Sequence, residues 1–264
     1  MKQVFQDHFD AQLQIEDTQA YALTFAPHST GSVYVRVSSG LLDMELLASA
    51  YSETTVFLDI QSKQALQSKI QVQAQEGAWI HVVVLDVEKI PATYKIQGEH
   101  FGSEAHIEIH SATLAAADKK WNMEILHRYP YTYGIMENYC VVEDDVRCEV
   151  EAIGNIKSGA HDSVSHQKTR VLTMSERHQA QVTPILYIDE NEVKASHAMT
   201  LGQPDGDQLY YLQTRGLNKE MALGLLSIGY FLPIIERITN SELREEVKCR
   251  VEEKVGLYGD REHS

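Results

Sequence analysis

The sequence is poor in cysteine and in basic residues, and each shortage argues against a class of protein. Its 264 residues contain three cysteines, Cys140, Cys148 and Cys249, and none of them forms a CxxC pair. This odd, dispersed set argues against a disulfide framework or a four-thiolate zinc site and favours free thiols in a reducing compartment. The 23 basic residues stand against 38 acidic ones, which gives a net charge of −15. A nucleic-acid partner is therefore not expected, because the phosphate backbone would be repelled.

Long hydrophobic runs and familiar enzyme motifs are missing as well. No stretch approaches the roughly 20 apolar residues that span a membrane, and the start, MKQVFQDHFDAQ, lacks the apolar segment of a secretory signal. We therefore expect a cytoplasmic protein with no membrane partner. The patterns GxxxxGK[ST], GxGxxG before a helix, HExxH and GxSxG do not occur, which removes support for several common classes of enzyme.

Short segments of alternating apolar and polar residues recur over the first 205 residues. They include VYVRV (33–37), KIQVQAQ (69–75), WIHVVVL (79–85), AHIEIH (105–110), VRCEVEA (146–152) and ILYID (185–189). A period of two is typical of half-buried strands, and turn signals such as GNIKSGA separate the segments. The residues alone predict a β domain over 1–205, built as a sandwich, an antiparallel barrel or a stacked solenoid.

Helical spacing replaces this pattern after residue 205, so we assign residues 206–264 to a C-terminal helical subdomain. Helices are predicted over 208–215, over 218–235 and over about 240–256. Asn218 is the predicted N-cap of the second helix, and Pro233 is expected to kink or end it. In the third helix apolar residues recur at steps of four, which is typical of an amphipathic helix.

Two histidine-containing segments raise the question of a metal site. HIEIH places His106, Glu108 and His110 on one face of a predicted strand, and imidazole and carboxylate groups both bind divalent metals. Alternation within a strand produces the same polar face without any metal, and we favour that interpretation. We interpret HDSVSH (161–166) as a polar loop.

The segments QKTRVLTMS, PILYIDENEVKASHAMTLG and DQLYYLQTRGL closely resemble the core of the SufB/SufD family of iron–sulfur cluster assembly proteins. The matching residues are Gln167, Arg170, Leu172, Ser175, Pro184, Leu186, Ile188, Val193, His197, Ala198, Gly202, Asp207, Gln208, Leu209, Tyr211, Leu212, Arg215, Gly216 and Leu217. The resemblance covers about residues 145–235 and fades toward the N-terminus. So long an ordered set of matches is far more specific than one short motif.

For the fold, the resemblance implies a mainly β protein, with a right-handed parallel β-helix core followed by a C-terminal α-helical subdomain. It thereby selects the solenoid from the three β architectures. For partners, it implies pairing with a SufB-type paralogue or a second copy through strands of the β-helix, and docking of a SufC-type ABC ATPase on the C-terminal helices. The expected docking residues are Gln208, Tyr211, Arg215, Met221, Leu225 and Ile228. Packing of these helices against the β-helix is the alternative explanation of the same apolar surface.

The resemblance gives His197 a role as a ligand of a transient iron–sulfur cluster at the subunit interface. Neutral imidazole is a suitable iron ligand, and thiolates usually supply the other positions. Thr169 and Ala195 occupy positions where family members carry cysteines, so the chain resembles the SufD type more than the SufB type. A homodimer of this chain would therefore be short of thiolate ligands.

These observations predict a non-catalytic scaffold subunit of a SUF-type complex, shortened relative to full-length family members. A binding or regulatory module that docks the ATPase without cluster chemistry is the first alternative. A β-helix enzyme acting on carbohydrates is the second. The acidic balance opposes polyanionic substrates, and no carboxylate pair stands out as a glycosidase site.

Overall fold

The computed structural model describes residues 1–143, 145–174 and 176–257. Over these residues, β-strands occupy the chain up to Gly202, and α-helices follow from Gly206. The strands are β1 Lys2–Phe5, β2 His8–Ile15, β3 Ala20–Phe25, β4 Thr30–Val37, β5 Leu41–Ala48, β6 Glu53–Ile60, β7 Leu66–Ala74, β8 Trp79–Asp86, β9 Ala92–His100, β10 His106–Ala115, β11 Lys119–His127, β12 Tyr133–Val142, β13 Arg147–Ile156, β14 Val164–Thr173, β15 Gln179–Ile188 and β16 Lys194–Gly202. The helices are α1 Gly206–Thr214, α2 Lys219–Ile235 and α3 Ser241–Lys254.

The strands alternate between two parallel sheets, which face each other as a β-solenoid of about seven turns. One sheet contains the odd-numbered strands from β1 to β15 in order, and the other contains the even-numbered strands from β2 to β16. Each coil therefore contributes one strand to each sheet and pairs with the coils before and after it. The prediction of a parallel β-helix core followed by helices is confirmed.

The solenoid interior is filled by side chains that stack from coil to coil. Met44, Ile70, Ile96, Met123 and Ala152 occupy equivalent positions on β5, β7, β9, β11 and β13, and each is at most 1% exposed. Fully burying one large aliphatic side chain contributes about 1.5–3 kcal/mol. Stacking of such columns is therefore the main source of stability for a sheet pair whose strands come from distant parts of the chain.

Helices α2 and α3 pack on the outer face of the even-numbered sheet. Phe231 and Ile234 of α2 and Val247 and Val251 of α3 are buried there. Their strand neighbours in this second core include Tyr34, Phe57, Val83, Leu85, Ala112, Leu114, Tyr139, Val141 and Leu172. The C-terminal halves of β6, β8, β10 and β12 are consequently buried on both faces, which explains continuous apolar runs such as VVVL in β8. The expectation of strands buried on one face alone is wrong for these halves.

The predicted helix boundaries agree with the structure to within a few residues. The Asn218 side chain accepts a hydrogen bond from the backbone N–H of Met221 at 2.8 Å, and Asn240 caps α3 in the same way. Pro233 lies in the last turn of α2, which ends two residues later at Ile235. The division of the chain into two domains at residue 205 stays a prediction.

Candidate functional site

His197 lies on β16, the last strand of the even-numbered sheet. The register pairs His197 with Gln167 and Leu201 with Val171, and Val171 belongs to the interior core. Because side chains alternate along a strand, His197 and Leu201 continue columns that face the inside of the solenoid. His197 is nevertheless exposed, since no further described coil covers it. The imidazole therefore lies at the open end of the solenoid, in line with the interior, and not on the outer face of the sheet.

The open end exposes apolar side chains and unpaired strand edges together. Met199 and Leu201 of β16 are 50% and 41% exposed, and Tyr187 and Ile188 of β15 are 53% and 43% exposed. Strands β15 and β16 each pair with one neighbour in the described part of the chain. An unpaired, partly apolar strand edge of this kind favours pairing with another chain.

Below His197 the solenoid interior is polar. The Gln167 side-chain amide donates to the backbone carbonyl of Ile185 at 2.8 Å, which links the two sheets across the interior. On the neighbouring column, Asn138 Nδ2 donates to Thr169 Oγ1 at 3.3 Å, and Ser111 Oγ donates to Asn138 Oδ1 at 2.7 Å. A hydrogen-bonded polar column thus runs through the last coils toward the end that holds His197.

The two positions at which cysteines were expected lie close to His197 along the strands. Thr169 is on β14 and pairs with Met199, two residues beyond His197 on the same face. Ala195 is two residues before His197 on β16 and also continues an interior column. The structure therefore brings Thr169, Ala195 and His197 to one face of the last two coils.

The cysteines of the chain lie elsewhere. Cys140 and Cys148 are buried in the interior core on β12 and β13, and Cys249 is exposed on α3. A hydrogen bond with Cys148, together with burial, raises the pKa of the Cys140 thiol well above its usual range. Cys140 and Cys148 are therefore packing thiols, as the alternation of VRCEVEA indicates for Cys148.

The predicted docking residues divide into an exposed group and a buried one. Gln208, Tyr211 and Arg215 are exposed on α1 and at its C-terminus, and the Arg215 guanidinium lies 5.1 Å from the centre of the Tyr211 ring. On α2, Leu225 is 39% exposed, whereas Ile228 is 6% exposed and packs in the core under the helix.

The exposed docking group borders an apolar groove. Asp207, Gln208, Tyr211 and Leu212 of α1 line it together with Leu226 of α2. Met221 is partly buried one turn before Leu225. The three predicted docking residues of α2 therefore differ in burial: Leu225 is exposed, Met221 is partly buried, and Ile228 packs against the sheet.

Sequence reasoning missed two features of this region. Resemblance singled out His197, but the direction in which it faces depends on the register of β14 and β16. Gln167 was named as a family match, and its link to Ile185 on the opposite sheet could not be read from local spacing. Ser175, another family match, lies outside the described residues.

A parallel β-solenoid with helices packed on one flank defines this chain as a β-helix protein. Residues 13–230 match the family model described as SUF system FeS cluster assembly, SufBD core domain. The chain belongs to this family, and the match begins far closer to the N-terminus than the motifs around His197 suggested.

Within residues 1–143, 145–174 and 176–257, every helix is too short or too polar to cross a membrane.

Curated relatives carry the same assignment. The iron-sulfur cluster assembly protein SufD of Bacillus subtilis is 32% identical over 137 residues, which is 52% of this chain and 31% of the relative. A SufBD family protein of Mycobacterium bovis is 26% identical over 259 residues, 92% of this chain and 30% of the relative. SufD of Escherichia coli is 24% identical over 115 residues, 44% of this chain and 27% of the relative. The matched parts thus span about a third or less of the relatives' own length.

Proposed function

We propose that this chain is a non-catalytic scaffold subunit of a SUF-type iron–sulfur cluster assembly complex in the cytoplasm, closest to the SufD type. The observation that carries the proposal is the position of His197 on the interior-facing side of the terminal strand β16, within a chain of the SufBD family. Its partner at that end is a SufB-type paralogue or a second copy of the chain, paired through β15 and β16. A transient cluster is held at the joint, with His197 as one ligand.

Three features of the end support this assignment. Unpaired strand edges can extend both sheets into a partner. The exposed side chains of Met199, Leu201 and Ile188 supply apolar area for the joint. Thiolates must come from the partner, because Thr169 and Ala195 take the nearby positions and the three cysteines of this chain lie elsewhere. A heterodimer with a cysteine-bearing paralogue therefore fits better than a homodimer.

A SufC-type ABC ATPase docks on the helical flank in this proposal. The docking surface comprises the exposed residues Gln208 and Tyr211 of α1, Arg215 at its C-terminus, and Met221 and Leu225 of α2. Ile228 supports this surface from within the helix–sheet core. An apolar groove with a few polar groups at its rim is suited to accept a helix from a partner.

The test is to purify the complex of this chain with its SufB-type and SufC-type partners and compare it with the His197→Ala complex. We expect both complexes to form with the same stoichiometry, and the variant to retain less iron and labile sulfide after anaerobic loading. Tyr211→Ala combined with Leu225→Ala should instead lose the ATPase and keep the paralogue, as measured by size-exclusion chromatography with light scattering. Unchanged iron in His197→Ala would contradict the ligand role.

A second function is favoured by the residues beside His197. Thr169 and Ala195 are not cluster ligands, so the chain could dock the ATPase as a regulatory module without cluster chemistry. Equal iron content in complexes with and without this subunit would favour that function over the scaffold.

A further inference from the structure

Two imidazoles and one carboxylate converge on the outer face of the even-numbered sheet, on β8 and β10, which β12 and β14 separate from the terminal strand β16. His81 Nδ1 lies 3.1 Å from Glu108 Oε2, and His110 Nε2 lies 2.8 Å from the same oxygen. One ligand atom from each of the three residues lies within 4.8 Å of the other two. Ligands of one bound metal ion are separated by distances of this order, since each lies about 2.0–2.2 Å from the ion.

The parallel register builds this cluster from two coils. Glu108 pairs with His81 across β8 and β10, and His110 follows two residues later on the same face. His106 belongs to the same sequence motif but not to the cluster, because its ring stacks on Trp79 at 3.8 Å and on Tyr133 at 5.2 Å. His81 replaces it as the second imidazole.

His110 is the most deeply buried member of the cluster, and one of its ring nitrogens has no hydrogen-bond partner. Its side chain is 1% exposed, and its Nδ1 atom is buried without a hydrogen-bond partner. When Nε2 carries the proton and donates to Glu108, Nδ1 presents a lone pair toward Glu137 Oε2, 3.5 Å away. A metal on Nε2 would place the proton on Nδ1, where it can be donated to Glu137. This is the carboxylate–histidine–metal arrangement that orients many histidine ligands.

The cluster is open to solvent on one side, and two basic side chains lie close to its carboxylates. The side chains of His81 and Glu108 are 19% and 14% exposed, so an ion can enter from the His81 side. Lys168 Nζ lies 3.5 Å from Glu137 Oε1, and Arg237 Nη1, two residues beyond the end of α2, lies 3.9 Å from Glu108 Oε2. Arg237 is 31% exposed and can turn toward solvent when a cation takes its place.

We propose that His81, Glu108 and His110 form a binding site for a divalent first-row transition metal ion, Zn²⁺ or Fe²⁺. Two imidazoles and one carboxylate with a further position open to water are the donor set of catalytic zinc sites and of non-haem iron(II) sites. Glu137 orients His110, and Arg237 holds the site closed with its own charge when the metal is absent. The site is separate from the terminal coil and does not depend on the proposed function of His197.

The experiment titrates the chelator-treated full chain with Zn²⁺ and, under anaerobic conditions, with Fe²⁺ by isothermal calorimetry. Co²⁺ replaces both in a parallel absorption titration, because its visible bands report ligand geometry. All proteins carry His197→Ala, so that any binding at the proposed cluster ligand does not contribute to the titration. We expect one ion per chain, and the ratio of the Zn²⁺ and Fe²⁺ affinities identifies the preferred metal.

Variants then assign the ligands. His81→Ala should abolish binding, and this partly exposed residue can be replaced with little risk to the fold, which circular dichroism checks. The matched control is His166→Ala, which removes another imidazole from the same sheet, hydrogen-bonded to Ser196 at 2.7 Å, and should leave binding unchanged. Glu137→Gln should weaken binding about tenfold or more, and Arg237→Gln should tighten it. A folded chain that binds no ion stoichiometrically, or a His81→Ala variant that binds as tightly as its parent, would overturn the site.

Discussion

Single residues inside the solenoid show how burial sets protonation. His100 and His127 are fully buried neighbours at the ends of β9 and β11, with ring centres 4.5 Å apart. Both ring nitrogens of His100 face carbonyl oxygens, those of Leu126 and Tyr133, which would favour the charged ring. Burial outweighs these bonds and lowers the pKa of His100 to about 4. Burial and the neighbouring His100 lower the pKa of His127 well below its usual range. Both rings are therefore neutral in the folded chain at pH 7.

This protonation makes the free energy of unfolding depend on pH. The unfolded chain takes up a proton on His100 near pH 6.5, whereas the folded chain does so near pH 4. The contribution of His100 to the free energy of unfolding is therefore fully present above pH 6.5. It is lost as the pH falls from 6.5 toward 4, by about 3 kcal/mol for a pKa shift of this size. Urea unfolding between pH 7.5 and 4.5 measures the slope. His100→Gln should make the slope less steep, with the remainder coming from His127, whereas His8→Gln, at an exposed position on β2, should leave the slope unchanged. Equal slopes for His100→Gln and the parent chain would contradict the assignment.

At the scale of elements, α3 is fixed to the solenoid by a ladder of ion pairs. Glu246, Arg250 and Lys254 follow one another at steps of four, and they pair with Arg36, Asp59 and Glu88 in that order. These partners belong to successive coils, in β4, in β6 and just beyond β8. Four residues of helix rise about 6 Å, and neighbouring strands are about 4.8 Å apart. The similar spacing lets a helix that runs along the solenoid axis meet one coil per turn.

The pairs in this ladder differ in burial and should differ in energy. Asp59 is fully buried and also accepts a hydrogen bond from Tyr34 at 2.5 Å, so Arg250→Met would leave a carboxylate buried without its cation. We expect a loss of about 3–5 kcal/mol in the free energy of unfolding. Glu246→Gln breaks a pair whose side chains are 63% and 31% exposed, and should cost about 1 kcal/mol or less. Denaturant unfolding compares the two variants, and similar losses would contradict the role of burial.

Two glycines of α2 provide a second test at this scale. A Cβ on Gly224 would lie 2.7 Å from the Val255 carbonyl oxygen and 2.9 Å from the Leu257 amide nitrogen, so the glycine permits close approach of the segment after α3. Gly229 is exposed and has no neighbour within 4 Å of such a Cβ. Gly224→Ala should destabilise the chain by about 1–3 kcal/mol. Gly229→Ala, the matched control, should stabilise it by up to about 1 kcal/mol through helix propensity. Thermal unfolding checks both signs, and stabilisation by Gly224→Ala would contradict the packing argument.

For the whole molecule, the proposed pairing through the open end can be tested at one exposed residue. Leu201 is 41% exposed on the terminal strand β16, so Leu201→Glu places a charge in the proposed joint with little effect on the fold. We expect this variant to lose pairing with the SufB-type paralogue, or with itself, in size-exclusion chromatography with light scattering. Val4→Glu is the matched control, because Val4 is an exposed aliphatic residue of β1 at the opposite end of the solenoid. Loss of pairing in Val4→Glu but not in Leu201→Glu would place the joint at the β1 end of the solenoid and contradict the proposal.

Much of the fold follows from local patterns in the chain. Alternation marks the strands because one face of most of them is buried, and the change to helical spacing marks the helices. The N-cap Asn218 could be predicted because a side-chain oxygen is needed at that position. Alternation did not separate a solenoid from a sandwich or a barrel. That choice depends on which distant strands pair, and the resemblance around His197 supplied it.

The sequence by itself determined the strands, the helices, the family resemblance and the residues that carry it. Only the tertiary structure decided that His197 faces the open interior, that Ile228 packs inward, and that His81 joins Glu108 and His110 in place of His106. The physical reason is the same in each case. A residue's type and spacing fix its local conformation, but its neighbours come from the next coil, such as Trp79 beside His106 and Tyr133 beside Val164. The register across that separation is set by how whole coils stack their side chains.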